Sequence, residues 1–183
     1  MDIRTLNTEE ALAVYEAYVP RDFEPREIKP AALIRTLLEE GSYICVAGYE
    51  AGEVVVYAMC IHKGSMRFLD YFAVAPDKRG KGIGARFLKV VLRQFDGWWL
   101  WEVENPALAA DVEEANHRVS RIRFYEKLGA RLTNVATRTF GSDYRLMTLG
   151  ATKGDTAKLK EHYLSVFLHM DDQKRDENVH VLS

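Results

Sequence analysis

The chain is expected to form an α/β protein: a mixed, mostly antiparallel central sheet of about seven strands flanked by helices, with an extra C-terminal helix. Three observations lead there. Runs rich in apolar, aromatic and β-branched residues fall at 43–49, 53–62, 67–74, 98–104, 130–139 and 143–149, and a short alternating run precedes them at 3–6. Turn residues at Glu50-Ala51-Gly52, Lys63-Gly64-Ser65 and Gly141-Ser142 join consecutive runs so closely that those strands should pair as hairpins. The strand at 67–74, by contrast, reaches the one at 98–104 only through a segment of helical period, which predicts one parallel crossover.

Taken in order, Ile3-Arg4-Thr5-Leu6 reads as an edge strand. Thr8 is the expected cap of the next helix, with Glu9 and Glu10 in its first turn, where the helix dipole favours negative charge. Leu12, Val14, Tyr15 and Tyr18 form its apolar side. Residues 20–30 hold three prolines and read as a charged connection. A second amphipathic helix at 31–40 stops at Gly41. After the strand at 67–74, Ile83, Phe87, Val90, Val91 and Phe95 recur three or four apart and predict a helix over 82–95. Asp96-Gly97 ends that helix, and Asn105-Pro106 breaks the strand at 98–104. Residues 107–116 fit loop and helix equally. Val119, Ile122, Tyr125 and Leu128 mark another helix, closed by Gly129. A last helix is expected at 156–170, with Leu159, Tyr163, Val166, Phe167 and Met170 on one stripe. The chain thus divides into a domain at 1–150, a helix at 151–170 packed on it or extending it, and a polar, mobile tail at 171–183.

Composition narrows the function. The 183 residues are 48% hydrophobic and 28% charged, ordinary values for a globular protein. A net charge of -2 argues against general binding to nucleic acid or anionic membrane. No apolar run approaches the ~20 residues that span a bilayer. Met1-Asp2-Ile3-Arg4-Thr5 lacks the apolar core of an export signal. Cys45 and Cys60 sit among apolar neighbours in adjacent strands. They read as free buried thiols of a cytoplasmic protein, although a hairpin about Ala51-Gly52 would set them diagonally near each other. Trp98, Trp99 and Trp101 read as core and pocket wall rather than a base-stacking platform. His162 and His169 read as surface groups, and no metal site is expected.

The most informative stretch runs from Arg79 to Ala85. Arg79, Gly80, Lys81, Gly82, Ile83 and Gly84 hold three glycines and two cations just before a helix. Glycines let backbone N–H groups approach a ligand, and the first N–H groups of a helix have no partner within it. The helix dipole adds about half a positive charge there, so phosphate or pyrophosphate is the natural guest. Gly80, Gly82 and Ala85 match Gly-x-Gly-x-x-Gly/Ala, the dinucleotide fingerprint, and Glu102 lies about 20 residues on, where a ribose-binding acid would sit. In that fingerprint, however, the first glycine follows its strand almost directly, whereas Ala75 to Arg79 intervene here. A Walker loop is absent. The third pattern, Arg/Gln-x-x-Gly-x-Gly/Ala, is met by Arg79, Gly82 and Gly84.

That third pattern resembles motif A of the GNAT superfamily of N-acetyltransferases, which binds the coenzyme A pyrophosphate. Arg121-Ile122-Arg123-Phe124-Tyr125-Glu126-Lys127-Leu128-Gly129-Ala130 resembles the same family's motif B, about 40 residues further on and in the expected order. The resemblance implies a GNAT-like fold over residues 1–150, to which the last helix is an addition. It implies transfer of acetyl from acetyl-CoA to a primary amine by direct attack. Arg79, Gly80, Lys81, Gly82, Ile83, Gly84 and Ala85 would bind the pyrophosphate. Backbone groups of Phe72, Ala73 and Val74 would bind the pantetheine arm, with the Val74 N–H as oxyanion donor. Tyr125 would be the general acid. Arg118 and Arg121 stand where many members carry asparagine and alanine, which points those arginines towards phosphate. Val56 replaces a common glycine.

The base is read from the residues. Glu102 and Glu104 share one face of their strand, and Asp70 lies inside another. A carboxylate within a covered sheet is costly unless paired or used. Glu102 is the first candidate for a catalytic role, and Asp70 and Glu104 are candidates for substrate binding; each could instead pair with Arg118, Arg121 or Arg123. The acceptor class stays open between a small amine and a protein N-terminus or lysine, with a homodimer one way to cover the last helix. Two rivals remain: a non-catalytic acyl-CoA-binding or sensing module on the same fold, and an NAD(P)-dependent enzyme.

Overall fold

The computed structural model describes residues 1–168 and 172–182. The chain falls into two units, residues 1–96 and 97–183, each held largely by its own contacts. In the first unit, β1 (Asp2–Thr5), β2 (Tyr43–Glu50), β3 (Glu53–Lys63) and β4 (Met66–Val74) lie side by side in that order, every pair antiparallel. Glu50 pairs with Glu53, and both residues between them are left-handed, Ala51 at φ 51 and Gly52 at φ 85. That is the hairpin turn whose twist matches the strands it joins. The register sets Cys45 opposite Met59 and Cys60 opposite Ile44, one step out of line for a facing pair, and both thiols are buried and free.

α1 (Thr8–Asp22) is capped by Asn7, not by Thr8 as expected: the Asn7 side chain accepts the Glu10 N–H at 3.0 Å, and the Glu10 carboxylate takes the Asn7 N–H at 3.2 Å. This reciprocal box satisfies two orphan donors at once, which makes Asn7 the better cap. Pro20, expected to open the connection, lies inside the helix. It sacrifices one backbone bond two residues before the end, where the loss is small. α2 (Ala31–Glu39) packs on α1 and β2, and α3 (Ile83–Gln94) packs on β3 and β4. Phe87, Leu88 and Val91 of α3 are buried, and the Phe87 ring stacks on Phe72 with centroids 6.3 Å apart.

In the second unit, β5 (Trp98–Glu104), β6 (Arg131–Thr139), β7 (Ser142–Leu149) and β8 (Val179–Val181) are ordered β5-β7-β6-β8, again antiparallel. Residues 107–116 resolve into a single 3-10 turn, Pro106–Leu108, and the start of α4 (Val112–Glu126), capped by Asp111. α4 packs on β5 and β6. Trp98, Trp99 and Trp101 are all buried, as expected of core.

The α/β, mostly antiparallel architecture with flanking helices is as expected, with eight strands among the described residues where about seven were expected. The difference lies at the C-terminal end. The single helix expected at 156–170 is two, α5 (Lys153–Ala157) and α6 (Leu159–Ser165), broken at Lys158, whose ψ of 19 leaves the helical range. His169 and Met170 lie outside the described residues. The stretch expected as a polar tail forms α7 (Asp172–Asn178) and the strand β8, which pairs with β6 as Thr137↔Val181 and Thr139↔Val179. Backbone bonds from Leu182 to Ala136 and from Phe140 to Asn178, both 2.8 Å, extend that pairing. Among the described residues, no helix is long and apolar enough to cross a membrane.

Candidate active site

The turn from β4 to α3 has the form its glycines suggested. After the 3-10 turn Pro76–Lys78, Gly80 and Gly82 both adopt left-handed φ, 73 and 72, and Gly82 is the N-cap of α3. No side chain caps the helix, and its first internal bond runs from the Arg86 N–H to the Gly82 carbonyl. The N–H groups of Ile83, Gly84 and Ala85 therefore have no partner inside the helix. Both cations of the turn are tied back to backbone. Arg79 Nε donates to the Val74 carbonyl at 3.0 Å and Lys81 Nζ to the Asp77 carbonyl at 2.9 Å. They add positive charge to a turn whose shape their own hydrogen bonds hold. Arg79, Gly80, Lys81 and Gly82 are exposed, whereas Ile83 and Gly84 are buried against the sheet.

β4 itself is irregular. Tyr71 pairs with Met59 and Leu69 with Cys60, so Asp70 is an extra residue without a partner on β3. A bulge of this kind re-aims a side chain. The Asp70 carboxylate accepts Lys29 Nζ at 2.7 and 2.8 Å and the Tyr43 hydroxyl at 2.5 Å. The neighbouring Tyr71 donates to the Glu27 carbonyl at 2.5 Å and accepts the Lys29 N–H at 3.4 Å, while Tyr15 donates to the Lys29 carbonyl at 2.5 Å. The bulge and three tyrosines thus pin residues 27–29 of the α1–α2 connection. Burial, then the Asp70 charge, pushes the Tyr43 and Tyr71 hydroxyls well above the usual phenol value, so they act as donors. Asp70→Asn is expected to destabilise the fold by about 2 kcal/mol, because the Lys29 ammonium keeps no counter-charge there. A urea titration of both proteins measures it.

In the second unit, Tyr125 is buried, its ring 5.0 Å from that of Trp101 and 5.2 Å from that of Phe124. Burial pushes its phenol up to about 12, slightly opposed by Arg121. Glu102 projects from β5 on the same face as Glu104, as the period of two predicted, but the surroundings of the two differ. Glu104 pairs with Arg121 and lies 3.8 Å from Arg118. Arg118 also holds Glu114 at 2.5 Å and the Asn105 carbonyl at 2.8 Å. These arginines meet carboxylates, the structural alternative to the expected phosphate contact. Glu102 meets hydroxyls instead: its Oε1 accepts from Thr137 at 3.0 Å, Thr139 at 2.8 Å and Tyr163 at 2.6 Å.

Sequence reasoning had not singled out Lys29, Tyr43, Thr137, Thr139 or Tyr163 for any site. Alternation along β6 would have set Thr137 and Thr139 on one face, but nothing local ties that face to Glu102. Tyr163 looked like one more member of an apolar stripe.

The comparisons agree with one another. The family model described as the acetyltransferase (GNAT) family matches residues 11–130. A GNAT-family acetyltransferase structure from Bacteroides thetaiotaomicron superposes with a TM-score of 0.75 at 17% identity, over 93% of this chain and 100% of that one. The ribosomal-protein-S18-alanine N-acetyltransferase from Escherichia coli gives 0.61 at 19% identity, over 83% and 96%. An acetyltransferase structure from Salmonella typhimurium with its cofactor acetyl-CoA gives 0.57 at 19% identity, over 81% and 92%. No curated protein matches the sequence. With the family model covering most of the chain, both motifs inside its span and the fold shared with these structures, the chain belongs to the GNAT acetyltransferase family.

Proposed function

We propose that this protein is an N-acetyltransferase that moves acetyl from acetyl-CoA to a primary amine by direct attack, with residues 1–150 as the transferase domain. The observation that carries this reading is the β4–α3 turn. Two left-handed glycines and an uncapped helix start present the amides of Ile83, Gly84 and Ala85 beside Arg79 and Lys81. Such a turn fits a diphosphate, which needs several N–H donors and positive charge without side-chain bulk.

The chemistry needs an oxyanion donor, an acid for the leaving thiolate and a neutral amine. Alternate residues of β4 turn their backbone groups away from β3. Phe72 and Val74 are the residues so turned, because Ala73 spends its own groups on Tyr57 of β3; they would supply backbone partners for the pantetheine arm, with the Val74 N–H for the oxyanion. As the amine nitrogen bonds to the thioester carbon and the C–S bond breaks, Tyr125 gives its proton to the departing sulfur, and the surplus proton on the new amide nitrogen restores the phenol. Glu102 attracts the cationic amine and takes the proton that makes it a nucleophile. Glu104, held by Arg121, and Asp70, held by Lys29, are the candidates for binding the acceptor. Two free buried thiols suit a cytoplasmic location.

Gly82→Val tests the turn. A β-branched residue at φ 72 is strained although open space surrounds its Cβ. Acetyl-CoA affinity is expected to fall about tenfold, the equivalent of the strain of about 1–2 kcal/mol, and calorimetry measures it. The reaction is tested by thiol release from acetyl-CoA across spermidine, kanamycin and an alanyl peptide. Release with at least one amine supports transfer. Tight acetyl-CoA binding without release would favour the sensing module, and binding of NAD(P) in its place would overturn the reading.

A further inference from the structure

The segment beyond residue 150 brings a group to the Glu102 site. Tyr163 lies on α6, outside the residues matched by the family model, and is 0% exposed. Its hydroxyl donates to Glu102 Oε1 at 2.6 Å and also meets Thr139 Oγ1. The Phe167 ring packs edge-on against it, with centroids 5.3 Å apart. Strand β6 and helix α6 therefore converge on one carboxylate oxygen of β5, with donors at 2.6, 2.8 and 3.0 Å. Burial, then the Glu102 charge, holds the Tyr163 phenol far above its ordinary value, so it stays a donor at any working pH. Convergent donors on one oxygen fix both the torsion and the plane of a carboxylate, because rotation would break all of them together.

We propose that Tyr163 is a positioning residue for acetyl transfer: it locks the Glu102 carboxylate through Oε1 in the orientation from which that acid receives the acceptor's ammonium. The C-terminal segment is thereby a working part of the site rather than an appendage. This rests on the reading of Glu102 given above. Tyr163, Thr137 and Thr139 are among the groups that face Glu102 from other elements, and on its own strand Glu104 is ion-paired.

The test uses the full chain and needs no acceptor for its first readout. Protein labelled with carbon-13 at glutamate carboxyls is titrated, and the Glu102 resonance is assigned by its loss in Glu102→Gln. Tyr163→Phe keeps the ring and removes a charge-assisted donor. It is expected to raise the Glu102 midpoint by about one pH unit, and to lower kcat/KM for the acceptor about tenfold with the KM for acetyl-CoA unchanged. Fluorotyrosine at position 163, a stronger donor that preserves the fold, should move the midpoint the opposite way and decides the matter if Tyr163→Phe fails to fold. A lowered melting temperature with the midpoint and kcat/KM unmoved would make Tyr163 purely structural and overturn the proposal. Unimpaired turnover of Glu102→Gln would remove the reading beneath it. An inactive Glu102→Gln beside a fully active Tyr163→Phe would overturn the positioning role alone.

Discussion

Tyr125→Phe is expected to lower turnover at least tenfold while leaving acetyl-CoA affinity nearly unchanged. General acid catalysis contributes about 10²–10⁴ in rate, so the loss of a sole proton donor can be larger still. The substitution is clean because the ring, not the hydroxyl, packs: Trp101 and Phe124 lie against it at 5.0 and 5.2 Å. The causes acting on its phenol are burial and Arg121, with no hydrogen bond among the described residues. Phenylalanine should therefore cost little stability. With the phenol pushed up to about 12, it carries its proton throughout the neutral range. It cannot act as a base there, and its role is to give the proton away. Stopped-flow thiol release sets kcat, and calorimetry sets the affinity. Unchanged turnover would take Tyr125 out of the chemistry.

The second large effect is on stability, and it lies at high pH. Burial raises Cys45 from 9.0 to about 12 and Cys60 well above 9.0. Burial likewise raises Tyr15 and Tyr125 from 10.0 to about 12, and Tyr43, Tyr57, Tyr71 and Tyr163 rise in the same direction. Each group keeps in the folded state a proton that the unfolded chain gives up. Their stabilisation is therefore complete below about pH 9 and falls as pH rises, at about 1.4 kcal/mol per pH unit for every proton retained. The two thiols act first, from about pH 9, and the phenols join them above pH 10. Against a typical total of about 5–15 kcal/mol, the fold should be lost by about pH 11. Urea midpoints measured from pH 7 to 11 check this, with Cys45→Ala expected to flatten the first part of the decline. A flat profile up to pH 11 would mean that these groups are far wetter than the structure has them.

What was legible in the residues depended on how far each effect reaches. The strand at 98–104 was placed to the residue, because Asn105-Pro106 and Asp96-Gly97 stop it locally. The glycine turn was legible for the same reason: glycines at 80 and 82 admit the left-handed backbone the turn adopts, whatever packs nearby. The capping box of Asn7 and Glu10 was present in the sequence as well, but Thr8 masked it. β8 could not be read, since Val179 to Val181 form a strand only because β6 offers an edge. The partners of Glu102 were out of reach too. Thr137, Thr139 and Tyr163 lie 35, 37 and 61 residues from it along the chain.

By itself, the sequence determined the element order as far as Leu149, the family through its two motifs, and the turn where amides and cations meet. Each follows from short-range sterics and periodicity, which nearby residues settle. Only the tertiary structure decided which acids are engaged and by what. It put Glu104 against arginines, Asp70 on a bulge against Lys29, and Glu102 under three hydroxyls. A carboxylate's role depends on the charges and donors within a few ångströms of it, and strand pairing together with the packing of helices and loops brings those from distant parts of the chain.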